Sequence, residues 1–115
     1  MPYTMDGVAQ TLDSEPQLKD GTMWVPLRSV SGTLGATADW DASSGVAILY
    51  LGARIVTIKV GDANIDIDGS PFILQAAPYL ENGETWVPVR LFSEGLGYNV
   101  GVDLGSKTVD ITTPG

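Results

Sequence analysis

Trp24-Val25-Pro26-Leu27-Arg28 returns as Trp86-Val87-Pro88-Val89-Arg90, a shift of 62 residues. Working outward towards the N-terminus, the same shift sets Asp6-Gly7 on Asp68-Gly69, Leu12 on Leu74, Pro16 on Pro78, Leu18 on Leu80 and Gly21 on Gly83. Towards the C-terminus it sets Ser31 on Ser93, Leu34-Gly35 on Leu96-Gly97 and Asp41 on Asp103. One extra residue in the second stretch then brings Val46 and Ile48 onto Val109 and Ile111. Self-similarity at a fixed period is the signature of an internal repeat. The two expected copies run from about residue 3 to 60 and from about 62 to 113, with only Gly61-Asp62 between them. Residues 1–115 are therefore expected to form a single domain, two pseudo-symmetric copies sharing one core.

Each copy reads alike. It opens on an Asp-Gly turn, Asp6-Gly7 or Asp68-Gly69, the strongest short hairpin signal. A second turn follows at Asp20-Gly21 or Asn82-Gly83. A short strand then runs into Pro26 or Pro88. Proline holds the residue before it extended and suits the first turn of a helix, so a strand ends and a helix begins there. Leu27, Val30 and Leu34 recur at helical spacing, as do Val89, Phe92 and Leu96, and Gly35 and Gly97 stand where a left-handed cap closes the helix. Helices this short need a sheet to pack on. Val46–Leu51, Arg54–Val60, Asn64–Ile67 and Ser70–Leu74, joined through Gly52-Ala53 and Asp68-Gly69, read as a four-strand meander across the junction. The expected fold class is α+β: mainly antiparallel sheet, one short helix per copy.

Composition closes several routes to function. The 115 residues hold 6 basic and 14 acidic side chains, a net charge of −8 that suits neither nucleic-acid phosphates nor an anionic membrane surface. Without cysteine there is no thiol nucleophile, disulfide or iron–sulfur ligand; without histidine the commonest general base and metal ligand are missing. No apolar run approaches the roughly 20 residues of a membrane helix. No signal peptide is visible, and Met1-Pro2 reads as a start from which an export signal has already been removed.

The pattern Pro-x-Leu-x-x-Gly-x-x-Trp-Val-Pro-x-Arg, fullest at Pro78–Arg90 and followed by Leu-Gly and then an Asp before the last strand, resembles the copper amine oxidase N-terminal-like, or stalk, domain of exported bacterial proteins. The resemblance covers nearly the whole chain as two tandem copies. Departures are Gly32-Thr33, where the family often has Glu-Ala, and Val102, where it usually has the Trp of Trp-Asp, kept in the first copy as Trp40-Asp41. It implies a non-catalytic extracellular or cell-surface module with no cofactor. The copper enzymes themselves use histidines and a quinone made from tyrosine, whereas none of the four tyrosines of this chain stands in an Asn-Tyr-Asp/Glu setting. Expected partners are cell-wall polysaccharide or other surface proteins. The alternative is a structural subunit that self-associates through sheet edges, with Lys107–Thr112 and Thr4–Val8 as the expected edges.

Among single residues, Trp24, Trp40 and Trp86 are the aromatic candidates. Trp24 and Trp86 point away from Val25 and Val87 on their strands, so they form either a sugar-stacking surface or the seam between the copies. Arg28 and Arg90 oppose the dipole of their helices, which calls for carboxylate partners. Asp41 and Asp103 fill that role as the expected structural pairs Arg28–Asp41 and Arg90–Asp103. Asp39, Asp41, Asp62, Asp66, Asp68, Asp103 and Asp110 lack the calcium-loop pattern and read as a solvated face, so no metal is expected. No pair of carboxylates is set apart for catalysis.

Overall fold

Four short turns fold the chain back on itself. Asp6, Asp20, Asp68 and Asn82 take φ of 51–53° and the glycine after each takes 77–87°, the paired left-handed geometry that matches the twist of a two-residue hairpin. The computed structural model describes residues 3–12 and 14–114; the reading of Met1-Pro2 lies outside the described residues. In chain order the elements are β1 (Tyr3–Met5), β2 (Val8–Ala9), β3 (Gln17–Lys19), β4 (Thr22–Pro26), α1 (Leu27–Thr33), β5 (Thr37–Asp41), β6 (Val46–Leu51) and β7 (Arg54–Lys59). They continue with β8 (Asn64–Ile67), β9 (Ser70–Ile73), β10 (Tyr79–Glu81), β11 (Glu84–Pro88), a π-type helical segment α2 (Leu91–Gly95), β12 (Asn99–Asp103) and β13 (Thr108–Thr112).

The strands make three sheets, ordered β12-β13-β1-β2, β10-β11-β4-β3 and β5-β6-β7-β8-β9. In the second, β4 and β11 pair antiparallel with Val25 opposite Val87, Trp24 opposite Pro88 and Pro26 opposite Trp86. Val25 and Val87, equated by the 62-residue shift, thus face each other where β4 and β11 pair. Hairpins cross over between the halves. The first, β1–β2, joins β13 near the C-terminus, while β8–β9, from the start of the second half, joins β7 of the first. Among the described residues every ladder is antiparallel except β1 with β13, which is parallel and sets Tyr3 beside Val109 and Met5 beside Ile111.

The fold is α+β, mostly antiparallel sheet. Alternation selects the core: Leu49, Val56, Ile58, Val109 and Ile111 point inward and are buried, together with Leu27 and Val30 of α1 and Leu91 and Phe92 of α2. Two expectations are corrected. The second helical segment is not a second α-helix: Leu96 N–H bonds Leu91 O, one residue wider than an α-turn, and Gly95 sits where an added Cβ would lie 3.0 Å from Ile67 Cδ1. Nor is Lys107–Thr112 an edge. Strand β13 is flanked by β12 and β1, because the N-terminal hairpin closes that side, and within Thr4–Val8 only Val8 belongs to an edge strand, β2.

Candidate functional site

Trp24 and Trp86 are 6% and 2% exposed, which removes them as ligand contacts. They lie on the face of the central sheet opposite Val25 and Val87, and Tyr79 joins them. Its ring is 4.9 Å from Trp24, edge-on, and 6.3 Å from Trp86, stacked, with Lys19 Nζ 4.5 Å from its centre. This is a packed aromatic seam, with the geometry that quadrupolar rings prefer.

The expected Arg–Asp pairs do not form. Asp41 accepts from the Ser43 N–H at 3.0 Å and its hydroxyl at 2.6 Å; Asp103 accepts from Gly105 N–H at 3.0 Å and Ser106 N–H at 3.3 Å. Each carboxylate serves the turn after its own strand, and those bonds hold both groups below the usual carboxylate pKa. The ion pairs among the described residues are Arg54–Asp68 at 3.1 Å and Arg90–Glu94 at 3.8 Å, one helical turn apart. Arg28 has Gly32 at the position of Glu94, and it is exposed with no ion pair among the described residues. Among the described residues no group of three or more acidic side chains is arranged to hold a metal ion.

Two clefts flank the central sheet, each walled by one half and closed by a turn of the other. The first has a volume of about 430 Å³, with Leu27 and Arg28 of α1 and Ala38, Asp39 and Trp40 of β5 on one side and Gly83, Glu84 and Thr85 on the other. The second, about 400 Å³, sets Val89, Arg90, Val100 and Val102 against Gly21, Thr22 and Met23. The 62-residue shift carries Leu27, Arg28, Ala38 and Trp40 onto Val89, Arg90, Val100 and Val102, and Gly21, Thr22 and Met23 onto Gly83, Glu84 and Thr85. Trp40 pairs with Ala47 at an inward-facing register position of edge strand β5, yet it is 41% exposed. The sequence contained the signal that separates it from Trp24 and Trp86: its counterpart is Val102, so it is not required by the paired geometry of the central strands. Glu84 accepts a hydrogen bond from the Ser14 hydroxyl at the far wall.

The chain matches the copper amine oxidase N-terminal domain family over residues 4–111 and belongs to it. It is also similar to a protein named "Protease inhibitor" from Brevibacillus choshinensis, 36% identical over 88 residues, or 76% of this chain and 27% of that relative. The chain thus spans about a quarter of that relative's length. The family domain is the non-catalytic N-terminal domain, and the module is read as a non-catalytic accessory one.

Proposed function

We propose that this chain is an exported, extracellular cell-surface module built of two copies of the family domain, acting as a stalk or as an attachment unit to wall polysaccharide. The observation that carries the reading is the parallel pairing of β1 with β13. In a longer protein, tension between the two ends would shear these strands past each other and load their hydrogen bonds together, instead of peeling them one at a time. Thr4 Oγ1 to Asp110 at 2.5 Å and Thr113 Oγ1 to Asp6 at 2.7 Å add cross-ties to the same pair of segments. Co-sedimentation with purified bacterial sacculi at low and high salt tests attachment: salt-resistant pelleting supports it, and a chain that stays in the supernatant overturns it. The second reading, self-association, has Ile73 in its favour, 72% exposed on edge strand β9, although Pro71 on the same strand cannot donate to a further ladder. Light scattering at micromolar concentration reads it directly. Assays of secreted proteases with and without the chain test the activity named in the Brevibacillus relative.

A further inference from the structure

We propose that the Trp40 cleft binds a neutral glycan chain, stacking one hexopyranose ring on the indole. The inference rests on the wall-attachment reading and names its site. The second cleft serves as an internal control, because the two linings differ where a sugar would need them to. Trp40 is replaced there by Val102, Ala38 by the larger Val100 and Glu84 by Thr22. Most telling, Glu94 draws Arg90 into an ion pair, whereas Gly32 leaves Arg28 with no such partner. The first cleft therefore offers a flat apolar ring, a planar cationic fork and the Glu84 carboxylate around one space.

A hexopyranose is the ligand with matching chemistry. Its axial C–H groups make a flat apolar face for an indole. Its hydroxyl rim both donates and accepts, as a guanidinium and a carboxylate demand. The volume of about 430 Å³ falls within the roughly 300–1,000 Å³ of small-ligand sites. With the Glu84 carboxylate lining the cleft, and a chain at −8 overall, a polyanion would be repelled, so the glycan is a neutral one. Trp40 at 41% exposure is half-covered and still presents a face to solvent.

Isothermal titration of the whole chain with chitotetraose, and with cellotetraose as a second neutral probe, tests the site. Calorimetry is chosen because Trp40→Val would silence a fluorescence signal. Saturable binding by the wild type is expected with at least one of the two, weakened about tenfold or more by Trp40→Val. Trp40→Val installs the residue that the second cleft carries, so the fold has a precedent for it. Gly32→Glu gives Arg28 the partner that Arg90 has; a Cβ added at Gly32 meets nothing within 4 Å, and binding should fall severalfold with no loss of thermal stability. No saturable binding to either tetrasaccharide, or equal affinity in Trp40→Val, overturns the proposal. Sacculus pelleting that survives Trp40→Val leaves attachment standing and removes the cleft as its cause. Tetrasaccharide binding without sacculus pelleting keeps the cleft and removes wall attachment.

Discussion

Tyr3 Oη lies 2.7 Å from Thr33 Oγ1, and Thr33 Oγ1 in turn donates to Val30 O at 2.6 Å. Since the threonine hydrogen is committed to the carbonyl, the phenol is the donor. The bond ties the first strand to the last turn of α1, and it does so at a fully buried ring. The N-terminal hairpin is thus fastened to α1 by this side-chain bond as well as to β13 by its ladder.

Tyr3→Phe should cost about 0.5–1.5 kcal/mol, the usual net worth of one buried hydrogen bond. It should also change the alkaline limb of stability. Burial raises the Tyr3 pKa above 10.0, so the unfolded chain loses this proton first as pH rises. Stability is unaffected below the unfolded pKa and falls from there until the folded pKa is reached. Urea melts of wild type and Tyr3→Phe between pH 8 and pH 11 should show a steeper decline in the wild type; parallel declines would contradict the buried donor.

A further tie of the hairpin, Asp6 to Thr113, works at the opposite end of the pH scale. Asp6 accepts from Thr113 N–H and from the Thr113 hydroxyl, both at 2.7 Å, and these bonds lower its pKa. A depressed carboxylate pKa stabilises the fold above the unfolded value of 3.8 and ceases to do so as pH falls through the folded one. Asp6→Asn keeps the left-handed turn, which asparagine tolerates, and removes the charge. Its melting temperature should lie below the wild type at pH 6, and the gap should narrow as the pH falls below 3.8. Force spectroscopy with handles on both ends should show lower unfolding force for Asp6→Ala, because a cross-tie beside the sheared strands is lost.

Tryptophan emission separates the seam from the cleft. Trp24 and Trp86 are packed around Tyr79, whereas Trp40 opens to solvent. Acrylamide should quench part of the wild-type emission readily and leave a protected remainder. In Trp40→Val the accessible part should vanish. Quenching that stays uniform in both proteins would place all three rings in one environment.

The turns and the strand periodicity were readable because their physics is local. Asp-Gly and Asn-Gly dictate a left-handed pair of residues wherever they stand, and Val56-Thr57-Ile58 alternates whatever it pairs with. The crossed hairpins were not readable, since β1 joining β13 is a contact between opposite ends of the sequence. The same holds for Arg54, which bonds Asp68 at 3.1 Å and reaches Leu96 O at 3.1 Å and Gly95 O at 3.4 Å, capping a helical segment far along the chain. At the candidate site, the misplaced helix charge of Arg28 was legible, but its remedy was not. Asp41 had a nearer use, bonding Ser43 two residues on, and such local bonds cost less chain entropy than a pair across the fold. Trp24 and Trp86 could be read as facing away from Val25 and Val87, yet not as covered, because the cover comes from Tyr79 on a neighbouring strand.

The wide turn of α2 has a cause that can be tested through Gly95 and Ile67. Leu27–Thr33 forms an ordinary α-helix, while Leu91–Gly95 opens by one residue with Gly95 close over the β8–β9 hairpin. A Cβ on Gly95 would stand 3.0 Å from Ile67 Cδ1 and 3.3 Å from Leu91 Cδ1. Against this crowding, alanine in place of glycine favours a helical backbone by about 0.5–1 kcal/mol. Both opposing atoms are ends of flexible side chains, so the two effects should nearly cancel and Gly95→Ala alone should change stability by under about 1 kcal/mol. Ile67→Val removes the nearer methyl and should itself cost about 0.5–1.5 kcal/mol. In the double variant the added Cβ fills the vacated space, so the combined loss should be smaller than the sum of the singles. A coupling of at least about 0.5 kcal/mol in that direction is expected from a double-mutant cycle by urea denaturation. Strict additivity would mean that Gly95 is not held by Ile67 and that the wide turn has another origin.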